Sequence, residues 1–294
     1  MPHSPTHRSV ALRASFTGEH YSVARAGLCR DGSMGLDDCT PAQGELRALL
    51  AFGWFNTGSL AAPLGWDISR TLIYSTTPSP RQDQLVITVN ACDNVAEQLA
   101  GYGGVPGLRA EYDIGFHTTV LRHLPTGAGL EVTQRDRPRR PVRIPVPPPR
   151  DNFLPTMSHP LTDREEELLA QVPPMTADAR TLLGGIAVRA ALRDPDGQWS
   201  VGRWFGELQQ LLPRPVHRSR YNVTRRLWGA YDRWELEWTS YPPPEDLVGA
   251  LTHPRCGISG LSASKSNAST WLVRLGTAQL QLHDRDPLPE TSPR

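Results

Sequence analysis

The sequence predicts an α+β fold made of two related halves. The stretch Asp83 to Val89 returns in pattern as Asp232 to Trp238, and Gly103 to Leu108 returns as Cys256 to Leu261. In both halves the predicted elements follow the order helix, strands, short helix, glycine-rich loop and hairpin. This ordered match indicates an internal duplication, and we expect the halves to pack about a pseudo-twofold axis.

The first half begins with a clear helix start. Thr40 can cap the helix, Pro41 suits its first position, and Gln43 can reach back as in a capping box. Apolar residues follow at helical spacing and predict the buried face of this helix: Leu46, Leu49, Leu50 and Trp54.

Strands and a short helix complete the first half. Residues 71–76 and 85–89 are predicted to form a hairpin, with residues 79–82 as its turn. Asn94 and Glu97 predict a second capping box, for a helix that ends near Gly101. Two further strands are predicted at 117–124 and 128–134, joined by a turn at 125–127.

The second half repeats this plan. Thr162 and Glu165 predict a capped acidic helix, and Thr176 predicts the start of an apolar one. Alternation with polar residues, typical of a half-buried strand, occurs at Trp234, Leu236 and Trp238. Further strands are predicted at 199–205, 223–228, 270–275 and 278–283, with a helix after prolines 242–244. Leucines of the two halves align in this comparison: Leu121, Leu124 and Leu130 with Leu272, Leu275 and Leu280.

Composition divides the chain into five segments. Residues 135–161 are rich in arginine and proline, which predicts an extended linker or a strap laid over the surface. The segments are an N-terminal appendage at 1–39, a first half at 40–134, the linker at 135–161, a second half at 162–284 and a disordered tail at 285–294.

Charge and composition limit the function classes. The formal net charge is +1, so no field of the whole molecule attracts nucleic acid or an anionic membrane. A signal peptide is not visible, no apolar run is long enough to span a bilayer, and the cysteines are scattered. We expect a cytoplasmic protein with reduced thiols and no membrane partner.

Lys265 is the only lysine, and the other basic residues are arginines. This bias indicates either selection for bidentate phosphate or carboxylate contacts or a GC-rich genome.

Several patterns have both a functional and a structural interpretation. The glycine-rich stretch 101–107 is either a phosphate cradle or a loop that needs positive φ. Glu235 and Glu237 are a pair for general acid–base catalysis or a solvent-facing pair. Tryptophans after the linker, such as Trp234 and Trp238, form a stacking platform or a core. Zinc-ligand types occur without a compact zinc spacing, so we predict no metal site: His20, Cys29, Asp37, Asp38 and Cys39.

No recognised nucleophile, metalloprotease or phosphate-loop motif occurs, so we predict no catalytic residue and no cofactor. Whether the chain is an enzyme stays open. Arginines interleaved with aromatic residues and prolines suit backbone contacts to nucleic acid. The predicted nucleic-acid-binding residues are Arg135, Arg137, Arg139, Arg140, Arg143, Arg214, Arg218, Arg220, Arg225 and Arg226.

Two resemblances to known families add to these patterns. Thr17 to Glu19, with Ala11 and Leu12 before it and Ala24 after it, resembles the helix-turn-helix portion of ribbon-helix-helix antitoxins. Much of the chain is also similar to an uncharacterised protein family of Streptomyces-type actinomycetes. This similarity rests on residues 102–109, 121–127 and 194–199. It implies a cytoplasmic bacterial protein and brings no established activity.

The sequence therefore predicts a non-enzymatic accessory or regulatory protein that binds a protein or nucleic-acid partner. Two alternatives stay open. One is an enzyme or small-molecule binder with a pocket between the halves, which requires polar residues of both halves to converge in one cleft. The other is a structural or assembly component. The oligomeric state is not predicted.

Overall fold

The computed structural model describes residues 5–57, 65–113, 117–134, 144–145, 154–195, 225–240, 242–267 and 269–287. Its helices are α1 Pro5–Thr17, α2 Tyr21–Ala26, α3 Pro41–Trp54, α4 Thr71–Tyr74, α5 Cys92–Ala100, α6 Asp163–Ala170, α7 Ala177–Arg189 and α8 Pro244–Thr252. Its strands are β1 Ser75–Pro80, β2 Gln84–Val89, β3 Leu108–Asp113, β4 Thr118–His123, β5 Gly129–Thr133, β6 Ile144–Pro145, β7 Arg225–Ala230, β8 Arg233–Ser240, β9 Ser262–Asn267, β10 Thr270–Leu275 and β11 Ala278–Pro287.

The two halves have the same topology, which confirms the predicted α+β fold with two similar halves. The first sheet has the order β1-β2-β5-β4-β3-β6 and the second has the order β7-β8-β11-β10-β9. Each half consists of a helix, a hairpin, a second helix and a three-stranded meander. One pair of named strands in each sheet is parallel: β2 with β5 in the first, and β8 with β11 in the second. The two-residue β6 is an addition to the first sheet.

The strand register refines the alignment of the halves. Leu85 pairs with Leu130 in the first sheet and Trp234 pairs with Leu280 in the second, so Leu130 and Leu280 correspond as predicted. Leu121 also pairs with Leu130, whereas the residue that pairs with Leu280 across the hairpin is Val273. The predicted match of Leu121 with Leu272 is therefore wrong by one residue.

The glycine-rich loops match in conformation as well as in sequence. Gly107 and Gly260 have φ of +78° and +77°, a region that L side chains rarely adopt. The Val105 N–H donates to the Leu99 carbonyl at 2.7 Å, and in the second half the Ile258 N–H donates to the Leu251 carbonyl at 2.8 Å. This loop is the turn that leads each short helix into its meander.

Several predicted boundaries are wrong. Residues 71–74 form α4 rather than a strand, and residues 79 and 80 belong to β1 rather than to the turn. α5 begins at Cys92 without a side-chain cap, because Asn94 lies within the helix and accepts a hydrogen bond from Gln98. The polar β9 (SASKSN) lacks the apolar alternation by which strands are recognised, and β3 was missed as well.

The segments outside the two halves are also packed against them. In the N-terminal segment, Phe16 is buried in the core and its carbonyl accepts from the Arg193 N–H at 2.7 Å. In the linker, the Pro155 carbonyl accepts from the Ala110 N–H of β3 at 2.8 Å, so this part is a strap along the first sheet. β11 continues to residue 287, beyond the start of the predicted tail, and residues 288–294 lie outside the described ranges.

Candidate ligand site between the two halves

The seam between the halves is formed by α3 and α7, which pack against each other. Gly184 lies at their close approach. A Cβ at this position would be 3.1 Å from the Arg47 Cβ and 3.6 Å from the Gly44 carbonyl oxygen. The absence of a side chain at Gly184 therefore sets how closely the two helices approach.

Both helices begin in the same way. The Thr40 hydroxyl accepts from the Gln43 N–H, and the Thr176 hydroxyl accepts from the Ala179 N–H, each at 3.2 Å. The backbone N–H of each threonine donates to the hairpin turn of its own half: from Thr40 to the Gln82 carbonyl at 2.8 Å, and from Thr176 to the Tyr231 carbonyl at 3.1 Å. Both predicted caps are confirmed. The Gln43 amide lies against the backbone of residues 83, 85 and 129 instead of completing a capping box.

A groove of about 300 Å³ lies between the N-terminal parts of α3 and α7. The N-terminal segment contributes the polar side chains of Asp37 and Cys39, the first half contributes Thr40 and Arg47, and the second half contributes Arg180 and Thr181. The rest of the lining is small or apolar: glycine, alanine and proline. Polar residues of both halves thus converge in one cleft, which is the condition that a shared pocket requires.

Three buried arginines lie near this seam, and they differ in whether a carboxylate accepts hydrogen bonds from the positively charged guanidinium. Arg13 is 0 % exposed and donates to both carboxylate oxygens of Glu19 at 2.7 and 2.8 Å. Arg189 is also 0 % exposed and donates to both oxygens of Asp37 at 2.6 and 2.7 Å. Each of these two guanidinium groups has a bidentate carboxylate partner.

Arg47 differs from the other two. It is 2 % exposed, and among the described residues its guanidinium donates only to backbone carbonyls, those of Leu36 at 3.2 Å and Arg81 at 2.7 Å. Its Nε has no hydrogen-bond partner within the described part of the chain. Burial lowers the pKa of Arg47; Cys39 and Asp37 oppose this lowering, and the positive charges of Arg189 and Arg13 add to it. An arginine nevertheless stays protonated in proteins, so the groove contains a buried positive charge.

The neighbouring groups offset this charge only in part: Asp37 raises the pKa of Arg47, but both of its oxygens accept from Arg189. Burial raises the pKa of the Cys39 thiol, against the opposing effect of Arg47, so the thiol is neutral at pH 7. Asp37 is held by Arg189. The Arg180 side chain is 38 % exposed, and its Nη1 lies 3.9 Å from the Glu45 carboxylate, which is a loose surface pair.

The N-terminus of α3 adds to the positive potential, whereas that of α7 is opposed by Asp178. The N-termini of α3 and α7 both carry the partial positive charge of the helix dipole. The first turn of α3 has no acidic residue. In the first turn of α7, the Asp178 carboxylate accepts from the Thr277 N–H at 2.8 Å and from its hydroxyl at 3.1 Å.

Most of the predicted nucleic-acid-binding arginines lie outside the described residues: Arg135, Arg137, Arg139, Arg140, Arg143, Arg214, Arg218 and Arg220. Of the remaining two, Arg225 is 6 % exposed, so its side chain is not offered to a partner on the surface. The Arg226 guanidinium lies over the Trp228 ring, 4.6 Å from its centre. Binding of nucleic acid stays a prediction.

The other candidates from the sequence are the metal-ligand types, the glutamate pair and the tryptophans, and the structure shows the neighbours of each. Within the described ranges no three metal-ligating side chains come together; the Cys29 Sγ lies 3.3 Å from the Asp38 carboxylate. Glu237 pairs with Arg285. Trp234 and Trp238 are buried, which confirms the core interpretation for these two rings. Helices of the described residues include none that is both long and apolar enough to cross a membrane.

Comparison with protein-family models, with curated proteins and with solved structures finds no match to this chain. The candidate site therefore rests on the geometry of the seam. Sequence reasoning missed Arg47 and Arg180. Arg47 directly follows Leu46 of the predicted apolar stripe, and an arginine next to such a stripe is usually solvent-exposed.

Proposed function

We propose that this protein binds a small molecule in the groove between α3 and α7. The observation that carries the proposal is the convergence of polar side chains from both halves on one cleft of about 300 Å³. Ligand pockets start at about this volume and combine a mostly apolar lining with a few polar groups. A ligand seated there would contact both halves, and its binding free energy would add to the stability of their packing.

The lining favours binding over catalysis. Its thiol, Cys39, has a raised pKa because of burial, so it is a weak nucleophile at neutral pH. Histidine, the commonest general base, does not occur among the described lining residues. The proposed role is therefore that of an accessory or regulatory protein whose state responds to a small ligand.

Blocking the groove tests this proposal. Thr181 lines the groove and is exposed, and its hydroxyl donates to the Ala177 carbonyl of its own helix, so Thr181→Trp fills the cleft without removing a tertiary hydrogen bond between described residues. Asn94→Trp places the same ring on the exposed face of α5, outside the groove, as the control.

The measurement is thermal denaturation of the three proteins with a panel of neutral and charged metabolite-sized compounds. We expect at least one compound to raise the melting temperature of the wild type and of Asn94→Trp but not of Thr181→Trp. If no compound acts on the wild type, or if every effect survives in Thr181→Trp, the groove is not a binding site.

A further inference from the structure

The charge balance of the groove shows which ligands it suits. Around the seam, the Glu19 and Asp37 carboxylates are each fully engaged by one buried arginine, Arg13 and Arg189. Arg47 is the third arginine of this group and has no carboxylate partner within the described residues. A buried charge without a counter-charge is costly, and buried charges in proteins are normally paired. Asp37 acts on Arg47 without a direct hydrogen bond, so an entering anion would add the direct counter-charge that Arg13 and Arg189 already have.

The position of Arg47 is fixed before any ligand arrives. The carbonyls of Leu36 and Arg81 hold its two Nη atoms, which restricts the guanidinium to one orientation. Its Nε–H has no acceptor among the residues that the structure describes, although buried polar groups in native proteins nearly always have a partner. This Nε is itself buried, so a ligand oxygen would reach it with a small shift of the groove lining; the guanidinium, already held in place, would lose little conformational entropy on binding.

The second half offers a matching cation across the groove. Arg180 lies on α7 and pairs only loosely with Glu45 at 3.9 Å, so its guanidinium can turn to a ligand. The N-terminus of α3 adds a partial positive charge and has no acidic residue in its first turn, whereas the first turn of α7 contains the Asp178 carboxylate, which opposes the positive end of that helix. Arginine recognises carboxylate and phosphate groups in particular, because its planar N–H donors match their paired oxygens.

We propose that the ligand of this groove is a small oxyanion, a carboxylate or a phosphate ester, held between Arg47 of the first half and Arg180 of the second. The inference rests on the proposed function and specifies its ligand class. The volume of about 300 Å³ limits the ligand to a small metabolite.

The test is isothermal titration calorimetry on the full chain with inorganic phosphate, glycerol 3-phosphate and malonate. Sodium chloride at equal ionic strength and glycerol serve as the ionic and neutral controls. The variants are Arg47→Gln and Arg180→Gln. Arg164→Gln on α6 is the matched control, because this arginine is also exposed, at 62 %, and also pairs with a carboxylate, but does not line the groove.

We expect saturable binding of at least one oxyanion, weakened about 10-fold or more by Arg47→Gln and by Arg180→Gln, which is the loss expected for one charge-assisted hydrogen bond. Arg164→Gln should bind as the wild type does. A stronger response to glycerol 3-phosphate or to malonate identifies the phosphate or the carboxylate source. Because Arg180 is partly exposed, its variant keeps the test valid even if Arg47→Gln does not fold.

The proposal is overturned if none of the three anions binds, or if binding is unchanged in Arg180→Gln. These outcomes leave the proposed function separately testable. A neutral compound whose effect is lost in Thr181→Trp would retain the groove as a site and reject the oxyanion, whereas the absence of any groove-dependent compound rejects both.

Discussion

Glu165→Gln tests how the strap and α6 are held to the first sheet. The Glu165 carboxylate accepts from two N–H groups of Arg109, each at 2.7 Å, and from the Gly107 N–H at 2.8 Å. Arg109 is buried and belongs to β3. Glutamine is also a capping-box residue, so the substitution retains the start of α6 and removes mainly the charge.

The magnitude follows from the pKa of Glu165. Burial alone would raise this pKa, but the hydrogen bonds from Arg109 and from the Thr162 and Gly107 N–H groups outweigh it and hold the pKa at about 2, below the ordinary 4.5. This difference corresponds to about 3 kcal/mol at 1.36 kcal/mol per unit. The side chain is 20 % exposed, so solvent screening reduces the expected contribution to about 2 kcal/mol.

The assay is urea unfolding of the wild type and Glu165→Gln between pH 7 and pH 2. A carboxyl with a depressed folded-state pKa stabilises the protein above its unfolded pKa of 4.5, and this stabilisation is lost as the pH falls from 4.5 to about 2. We expect a difference of about 2 kcal/mol at pH 7 that shrinks towards zero at pH 2. Glu167→Gln, an exposed pair with Arg164 on the same helix, should change stability by less than about 0.5 kcal/mol. A difference that does not depend on pH would refute the reasoning.

Further predictions concern one histidine and two pairs of glycines. Burial lowers the pKa of His123 to about 4 from 6.5, so stability should fall as the pH drops from 6.5 to about 4, and a His123→Gln variant should show a flatter pH profile in urea unfolding. Gly107→Ala should lower the free energy of unfolding by about 2–3 kcal/mol, and Gly260→Ala by about 1 kcal/mol, as measured by chemical denaturation. Both glycines have positive φ, but only at Gly107 would a Cβ meet other side chains at 2.9–3.0 Å. Equal costs would contradict this. Gly184→Ala should lower the free energy of unfolding, because its Cβ would crowd the contact between α3 and α7. Gly249→Ala, in a helix with open space around this position, should raise the free energy of unfolding by about 0.5–1 kcal/mol. A change of the same sign in both variants would contradict the close helix contact at Gly184.

The duplication was predictable because it depends on local patterns. Glycines at positions of positive φ, such as Gly107 and Gly260, and threonine caps, such as Thr40 and Thr176, have few substitutes, so they recur where the backbone recurs. The polar edge strand β9 was missed, since its side chains are mostly exposed and impose no alternation.

The candidate site was not predictable in the same way. Arg47 and Arg180 are separated along the chain and come together only because α3 packs on α7. Nothing local distinguishes Arg47 from an exposed arginine, and its burial without a carboxylate depends on the Leu36 and Arg81 carbonyls. The sequence left a pocket between the halves as an open alternative. The residues that line it can be named only from the tertiary structure.

The measurement that tests the seam site most directly is a nuclear magnetic resonance titration of the ¹⁵N-labelled chain with glycerol 3-phosphate. The account predicts that amide signals from the N-terminal turns of α3 and α7, residues 42–44 and 177–181, shift together with a single dissociation constant, and that Arg180→Gln raises this constant about 10-fold or more for both helices. Shifts confined to one half, or to residues distant from the groove such as Arg226, would contradict a ligand site shared by the two halves.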